Sequence, residues 1–213
     1  MKSVLISIQP KWVEKICSGK KTIEVRKTRP KIETPFKCYI YCTEGDALAY
    51  PCINYPKFDI HRANNGTLKG RLMTKKEREQ SDYLFANGKV IGEFVCEKID
   101  EWKYLPDGFV EDENEKIYYI SSVDGHATCL TYDEIENYGK GKTLFGWHIS
   151  DLVIYDKPKE LSEFRKPFSI DDNRHMKDWC HNHCEICDEK NCKYDLRITR
   201  PPQSWCYIES LGE

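Results

Sequence analysis

Eight residues, Gly19-Lys20-Lys21-Thr22-Ile23-Glu24-Val25-Arg26, constrain this chain more than any other stretch, because they join a helix of one period to a strand of another. Before them, Trp12, Val13, Ile16 and Cys17 recur at helical spacing between Pro10 and Ser18. Pro10 suits a first helical turn, where its missing N–H is no loss, and Gly19 suits the end. From Thr22 the period falls to two, so Ile23 and Val25 face one way while Thr22, Glu24 and Arg26 face the other. The apolar run Val4-Leu5-Ile6-Ser7-Ile8 ahead of the helix reads as a first strand. The polar face of the second strand then has two readings, the outer surface of a barrel wall or the lining of a ligand cleft.

At 213 residues and 39% hydrophobic, the chain can bury a real core as one domain with additions or as two small ones. The net charge of -2 conceals a local asymmetry, with eight Lys or Arg between Lys11 and Lys31 against Glu14 and Glu24 alone. Such a segment favours nucleic acid modestly, and a solvated lysine-rich surface is the plain alternative. The apolar run after Met1-Lys2 stops at Gln9-Pro10, and no later stretch approaches the roughly 20 apolar residues that span a bilayer. A cytoplasmic protein without a membrane partner is therefore expected. The eleven cysteines then suit no disulfide framework. Cys17, Cys38, Cys42, Cys52, Cys96 and Cys129 are scattered, several within strand- or helix-like runs where a thiol acts as a small apolar residue.

Further along, Lys37 to Cys42 is a β-branched and aromatic strand, and residues 44–87 form an excursion with a short helix capped by Thr74. Regular structure resumes with a strand over Lys89 to Cys96, followed by an acid-rich loop and Ile117 to Ile120. Thr131 and Glu134 have capping-box spacing for a helix that runs through Tyr138 and ends at Gly139. Thr143 to Ile149 and Leu152 to Tyr155 read as the last two strands. Gly139-Lys140-Gly141-Lys142-Thr143 lacks the leading glycine spacing of a phosphate-binding loop and reads as a turn.

In the Gly19 to Arg26 block, in Gly88 to Phe94 and in Gly146 to Ser150 running to Lys157-Pro158, the chain resembles the ASCH family, small barrels of the PUA-like class. That resemblance covers roughly residues 4–164 in three separated blocks and implies an α+β fold, a PUA-like mixed β-barrel with flanking helices. The domain division it implies is a barrel over 1–164, with an insertion at about 44–87, and a cysteine-rich tail over 165–213 of the kind found on some bacterial and phage members. It also implies RNA, single-stranded nucleic acid or a modified nucleoside as the partner. Lys20, Lys21, Arg26 and Arg29 would neutralise phosphates, and Trp147 would stack on an unpaired base unless it belongs to the core. His148, on the opposite strand face from Trp147, is either a cleft residue or a surface one.

Some ASCH proteins similar to this chain in the Gly-Lys-Lys-Thr-Ile block remove the acetyl group from N4-acetylcytidine with a lysine, a threonine and a glutamate. The lysine corresponds to Lys21, whereas Glu24 occupies the place of the threonine. A lysine crowded by Lys20 and Arg26 and partly desolvated would carry a neutral amine fit for a base or nucleophile. Lys21 and Glu24 are thus either an acid-base pair of a hydrolase or a surface ion pair.

The tail carries Cys180, His183, Cys184, Cys187, Cys192 and Cys206. The two-residue spacing of Cys184 and Cys187 presents two thiolates to one tetrahedral zinc, and Cys192 and Cys206 are the expected further ligands, with Cys180 or His183 as alternates. Four sulfurs leave no open position, so the zinc would be structural. The leading expectation is a binder of RNA or single-stranded nucleic acid, with a regulatory module docking on a protein partner as a third class.

Overall fold

The computed structural model describes residues 2–44, 86–104, 109–112, 115, 117–119, 125–167 and 196–211. The Thr74-capped helix of the excursion, Cys52, and the tail residues Cys180, His183, Cys184, Cys187 and Cys192 lie outside the described residues.

Strand β1 (Lys2–Ile8) leads into helix α1 (Pro10–Cys17), with Pro10 at its start as its spacing predicts. Val13, Ile16 and Cys17 are buried along one stripe, and Gly19 turns the chain at φ 73°, a conformation that a side chain would strain. β2 (Ile23–Arg26) follows, then β3 (Phe36–Cys42). β4 (Lys89–Tyr104) runs twice as far as expected, and β5 (Phe109–Glu111) and β6 (Ile117–Tyr119) pair beside its end. After a short α2 (Gly125–Thr128), α3 (Tyr132–Gly139) starts with the expected capping box, in which the Glu134 N–H donates to the Thr131 side chain. The left-handed position that ends α3 is taken by Lys140 (φ 52°) rather than Gly139.

The two strands expected over 143–155 are one, β7 (Leu144–Lys159), whose pairing with β4 slips where Asp151 takes φ 45°. A bulge of this kind bends a strand without ending it. The tail also ends in a strand, β8 (Trp205–Glu209), which pairs antiparallel with β1. Backbone groups of β1 thus find partners in residues 205–209, within the stretch expected as the tail.

Six strands follow the order β2-β7-β4-β3-β1-β8, mixed because β1 and β3 run parallel while the other neighbours are antiparallel. The sheet curls until its end strands approach, with Arg26 of β2 hydrogen-bonded at 3.5 Å to Ser204 just before β8. Inside the curl, Val4, Ile6, Ile8, Cys38, Ile40, Phe94 and Trp147 pack with the apolar stripe of α1. On the other side of β1, Leu5 joins Tyr39, Phe164 and Ile208. Cys17, Cys38, Cys42 and Cys96 are buried as small apolar residues, and burial pushes the Cys96 thiol up to about 12.

Candidate functional site

The alternation of β2 separates two environments. Ile23 and Val25 pack with Trp102, Ile135 and Leu144, whereas Glu24 and Arg26 lie on the floor of a cleft of about 670 Å³. Lys11 and Trp12 of α1, the end of β1, Asn137 and Tyr138 of α3, and the turn 201–204 form the walls. That turn is tied to β1, since the Ser7 N–H donates to the Ser204 carbonyl at 2.9 Å and the Ser7 hydroxyl to the Pro202 carbonyl at 2.7 Å.

Three charges share the floor, with Lys21, Glu24 and Arg26 only 2%, 6% and 7% exposed. Arg26 Nη2 lies 3.0 Å from Glu24 Oε1 and donates to the Ser7 carbonyl at 2.6 Å. Lys21 Nζ donates to the Thr128 carbonyl at 2.6 Å and stands 3.4 Å from Glu24 Oε2. Two cations against one anion leave the floor net positive in a poorly solvated place, where charge acts strongly. Burial lowers the Lys21 pKa; Glu24 and then Cys129 oppose that, and Arg26 adds to it. The surface ion pair considered for Lys21 and Glu24 is thus a buried one. Two floor atoms, Glu24 Oε2 and Arg26 Nε, are buried with no hydrogen-bond partner among the described residues.

Three ammonium groups surround the Trp12 indole: Nζ of Lys11, of Lys15 and of Lys21 on the floor lie 4.2, 4.9 and 5.3 Å from its ring centroid. Lys11 also reaches Glu134 of α3 at 3.0 Å, an exposed pair that contributes little to stability.

Of the residues picked out from the sequence, Lys21, Glu24 and Arg26 meet in the cleft. Lys20 and Arg29 are exposed and lie outside its lining. Trp147 is a correction: it is fully buried, edge-on to Phe36 at 5.8 Å and 6.0 Å from Trp205, so no base can stack on it. It faces inward because β7 curls around the core at that point. The rings that line the cleft are Trp12 and Tyr138; helical spacing assigned Trp12 to the apolar stripe, and its flanking Lys11 and Lys15 were the available signal. Tyr138, Gln203 and Ser204 carried no such signal, since only the fold brings them near β2.

His148 serves the opposite side of β7, with Nε2 2.6 Å from Asp100 Oδ2, and Lys98 pairs with the other carboxylate oxygen. Burial pushes the Asp100 carboxyl up, but the hydrogen bonds and charges of His148 and Lys98 outweigh it and hold the group below its usual value. A carboxyl lowered on folding adds stability above its unfolded pKa, about 3.9, and that contribution is lost as pH falls through the lower folded value. Melting temperature measured from pH 6 down to about 2 should therefore drop on the acid side, with part of the slope missing in Asp100→Asn. Identical slopes in the two proteins would contradict this.

Cys206 is the one expected zinc ligand among the described residues. It lies in β8 opposite Leu5, packs against the Leu5 and Tyr39 cluster, and has its thiol pKa raised by burial. Among the described residues no group of three or more His, Cys, Asp or Glu could hold a metal ion, and no helix is long and apolar enough to cross a membrane.

No protein-family model and no curated protein matches the chain. Solved ASCH proteins are similar to it. The ASCH protein of Zymomonas mobilis is 17% identical, with a TM-score of 0.45 over 97% of this chain and 87% of that one. A Tyr-to-Phe mutant of the same protein is 18% identical at the same TM-score, over 98% and 91%. A Ser-to-Ala mutant is 17% identical, also at 0.45, over 97% and 88%.

Proposed function

We propose that this chain is an ASCH-type protein that binds RNA or single-stranded nucleic acid through the cleft between α1, β2 and the turn 201–204. The observation that carries this reading is the pair of cations, Lys21 and Arg26, buried around Glu24 on the floor of a cavity of about 670 Å³ whose wall also carries Lys11, Asp133 and Glu134. Lys11, Lys15 and Trp12 at the mouth add the cations and the ring that a nucleotide strand requires. Retention of short single-stranded RNA should weaken steeply as salt rises, and Lys11→Ala and Lys15→Ala should each lower the slope of log affinity against log salt by about 0.7. A flat salt dependence would refute the reading.

A second reading is favoured by the Lys21 amine, whose pKa burial lowers, with Glu24 3.4 Å away as a proton acceptor. Such a pair fits a hydrolase acting on a modified nucleoside of the N4-acetylcytidine kind, or on RNA. Lys21→Ala then removes all product while ligand binding largely survives; under pure binding no product forms in the wild type either.

A structural zinc on Cys184, Cys187 and Cys192 completes the proposal. Cys206, which packs beside the Leu5 and Tyr39 cluster, is the fourth ligand that the spacing favours, with Cys180 or His183 as alternates. Metal analysis of the purified protein should find about one zinc per chain, and a folded metal-free protein would overturn this part.

A further inference from the structure

Two polar atoms on the cleft floor lack a well-formed hydrogen bond among the described residues, although the ammonium of Lys21 stands 3.4 Å from the first as an ion-pair partner. Glu24 Oε2 is an acceptor and Arg26 Nε a donor, both are buried without a hydrogen-bond partner among the described residues, and both side chains line the cleft. They stand two residues apart on the same face of β2, with Lys21 Nζ 3.4 Å from Glu24 Oε2. A buried carboxylate oxygen whose nearest donor stands at 3.4 Å without a well-formed hydrogen bond keeps acceptor capacity to spare, so it marks a place where a further donor can arrive from outside. The cavity of about 670 Å³ suits one nucleoside and is far too small for a duplex.

We propose that the cleft takes one unstacked nucleobase edge-first, with Glu24 Oε2 accepting an N–H from that edge while Lys21 and Arg26 donate to the acceptors beside it. This rests on the nucleic-acid reading above and names the group that the site recognises. The Watson–Crick edge of an unpaired base sets an N–H donor next to a carbonyl or ring-nitrogen acceptor, which complements an acceptor flanked by donors. In a duplex that edge is occupied, so only a single-stranded or flipped-out base can offer it. An ionised carboxylate only accepts, so a ligand edge without N–H leaves Glu24 unmatched in a place from which water is largely excluded.

The test places cytidine, N4-methylcytidine or N4,N4-dimethylcytidine at the centre of one short single-stranded RNA, and measures binding to the wild type and to Glu24→Gln. Monomethylation keeps one exocyclic N–H and dimethylation removes both. The wild type should bind the dimethyl form about 10- to 100-fold more weakly than the other two. In Glu24→Gln the difference should shrink to about threefold or less, since the amide can turn its NH2 toward the ligand. An equal penalty in both proteins means that the extra methyl merely clashes, and it overturns the proposal. So does a wild type that binds all three alike. Should Glu24→Gln fail to fold, uridine against N3-methyluridine in the same RNA decides with the wild type alone, since the single ring N–H is then removed and an equal affinity overturns the proposal. Failure to retain any RNA would sink the nucleic-acid reading itself, whereas retention without discrimination sinks only the edge contact.

Discussion

Glu24→Ala is expected to lower folding stability by about 3–5 kcal/mol, more than any other single change on the cleft floor. The carboxylate is the only anion between Lys21 and Arg26, at 3.4 and 3.0 Å, and all three side chains are almost wholly buried. Its removal leaves two like charges in a poorly solvated space, each still holding a backbone carbonyl but with no counter-ion. The Lys21 amine, already lowered by burial and held up mainly by Glu24, is then driven lower still. Lys21→Met in the same chain should restore part of the loss, because it removes one of the two cations; the interaction term of that double-mutant cycle is expected to be at least about 1 kcal/mol. Denaturant unfolding of the two single variants and the double variant measures it. A loss below about 1 kcal/mol for Glu24→Ala would mean that the floor is far better hydrated than its burial indicates.

The two tryptophans should separate stability from binding. Trp147→Ala is expected to cost about 3–5 kcal/mol, because a fully buried indole packed against Phe36 and Trp205 leaves a cavity that the curled sheet cannot close. Trp12→Ala removes a half-buried ring at the mouth and should cost much less stability. Its effect should fall on RNA retention instead, where loss of one stacking platform is worth about 1–3 kcal/mol. Melting curves and filter binding on the same two preparations read both quantities. If Trp12→Ala binds RNA like the wild type, the ring only packs against the lysines of α1.

The capping box of Thr131 and Glu134, the strands over Val4 to Ile8 and Lys37 to Cys42, and the switch of period at Thr22 were all legible in the chain. Each depends on residues within a few positions of one another, where propensity and side-chain direction act directly. The ends of β4 and β7 were not legible in the same way. Both strands continue through bulges, and whether a strand ends or bends at Asp151 depends on what β4 offers opposite it.

The residues of the cleft divide along the same line. Sequence alone set Glu24 and Arg26 on one face of β2 with Ile23 and Val25 on the other, because a strand turns successive side chains to opposite sides. It did not determine which face would meet solvent and which would close over a cavity. That was decided by contacts far apart in the chain: the Thr128 carbonyl is 107 residues from Lys21, and the Pro202 carbonyl is 195 residues from Ser7. Only the curl of the sheet, completed by β8, brings them together. The same curl turned Trp147 into the core and left Trp12 at the mouth, since local periodicity reports that a face is apolar but not what packs against it.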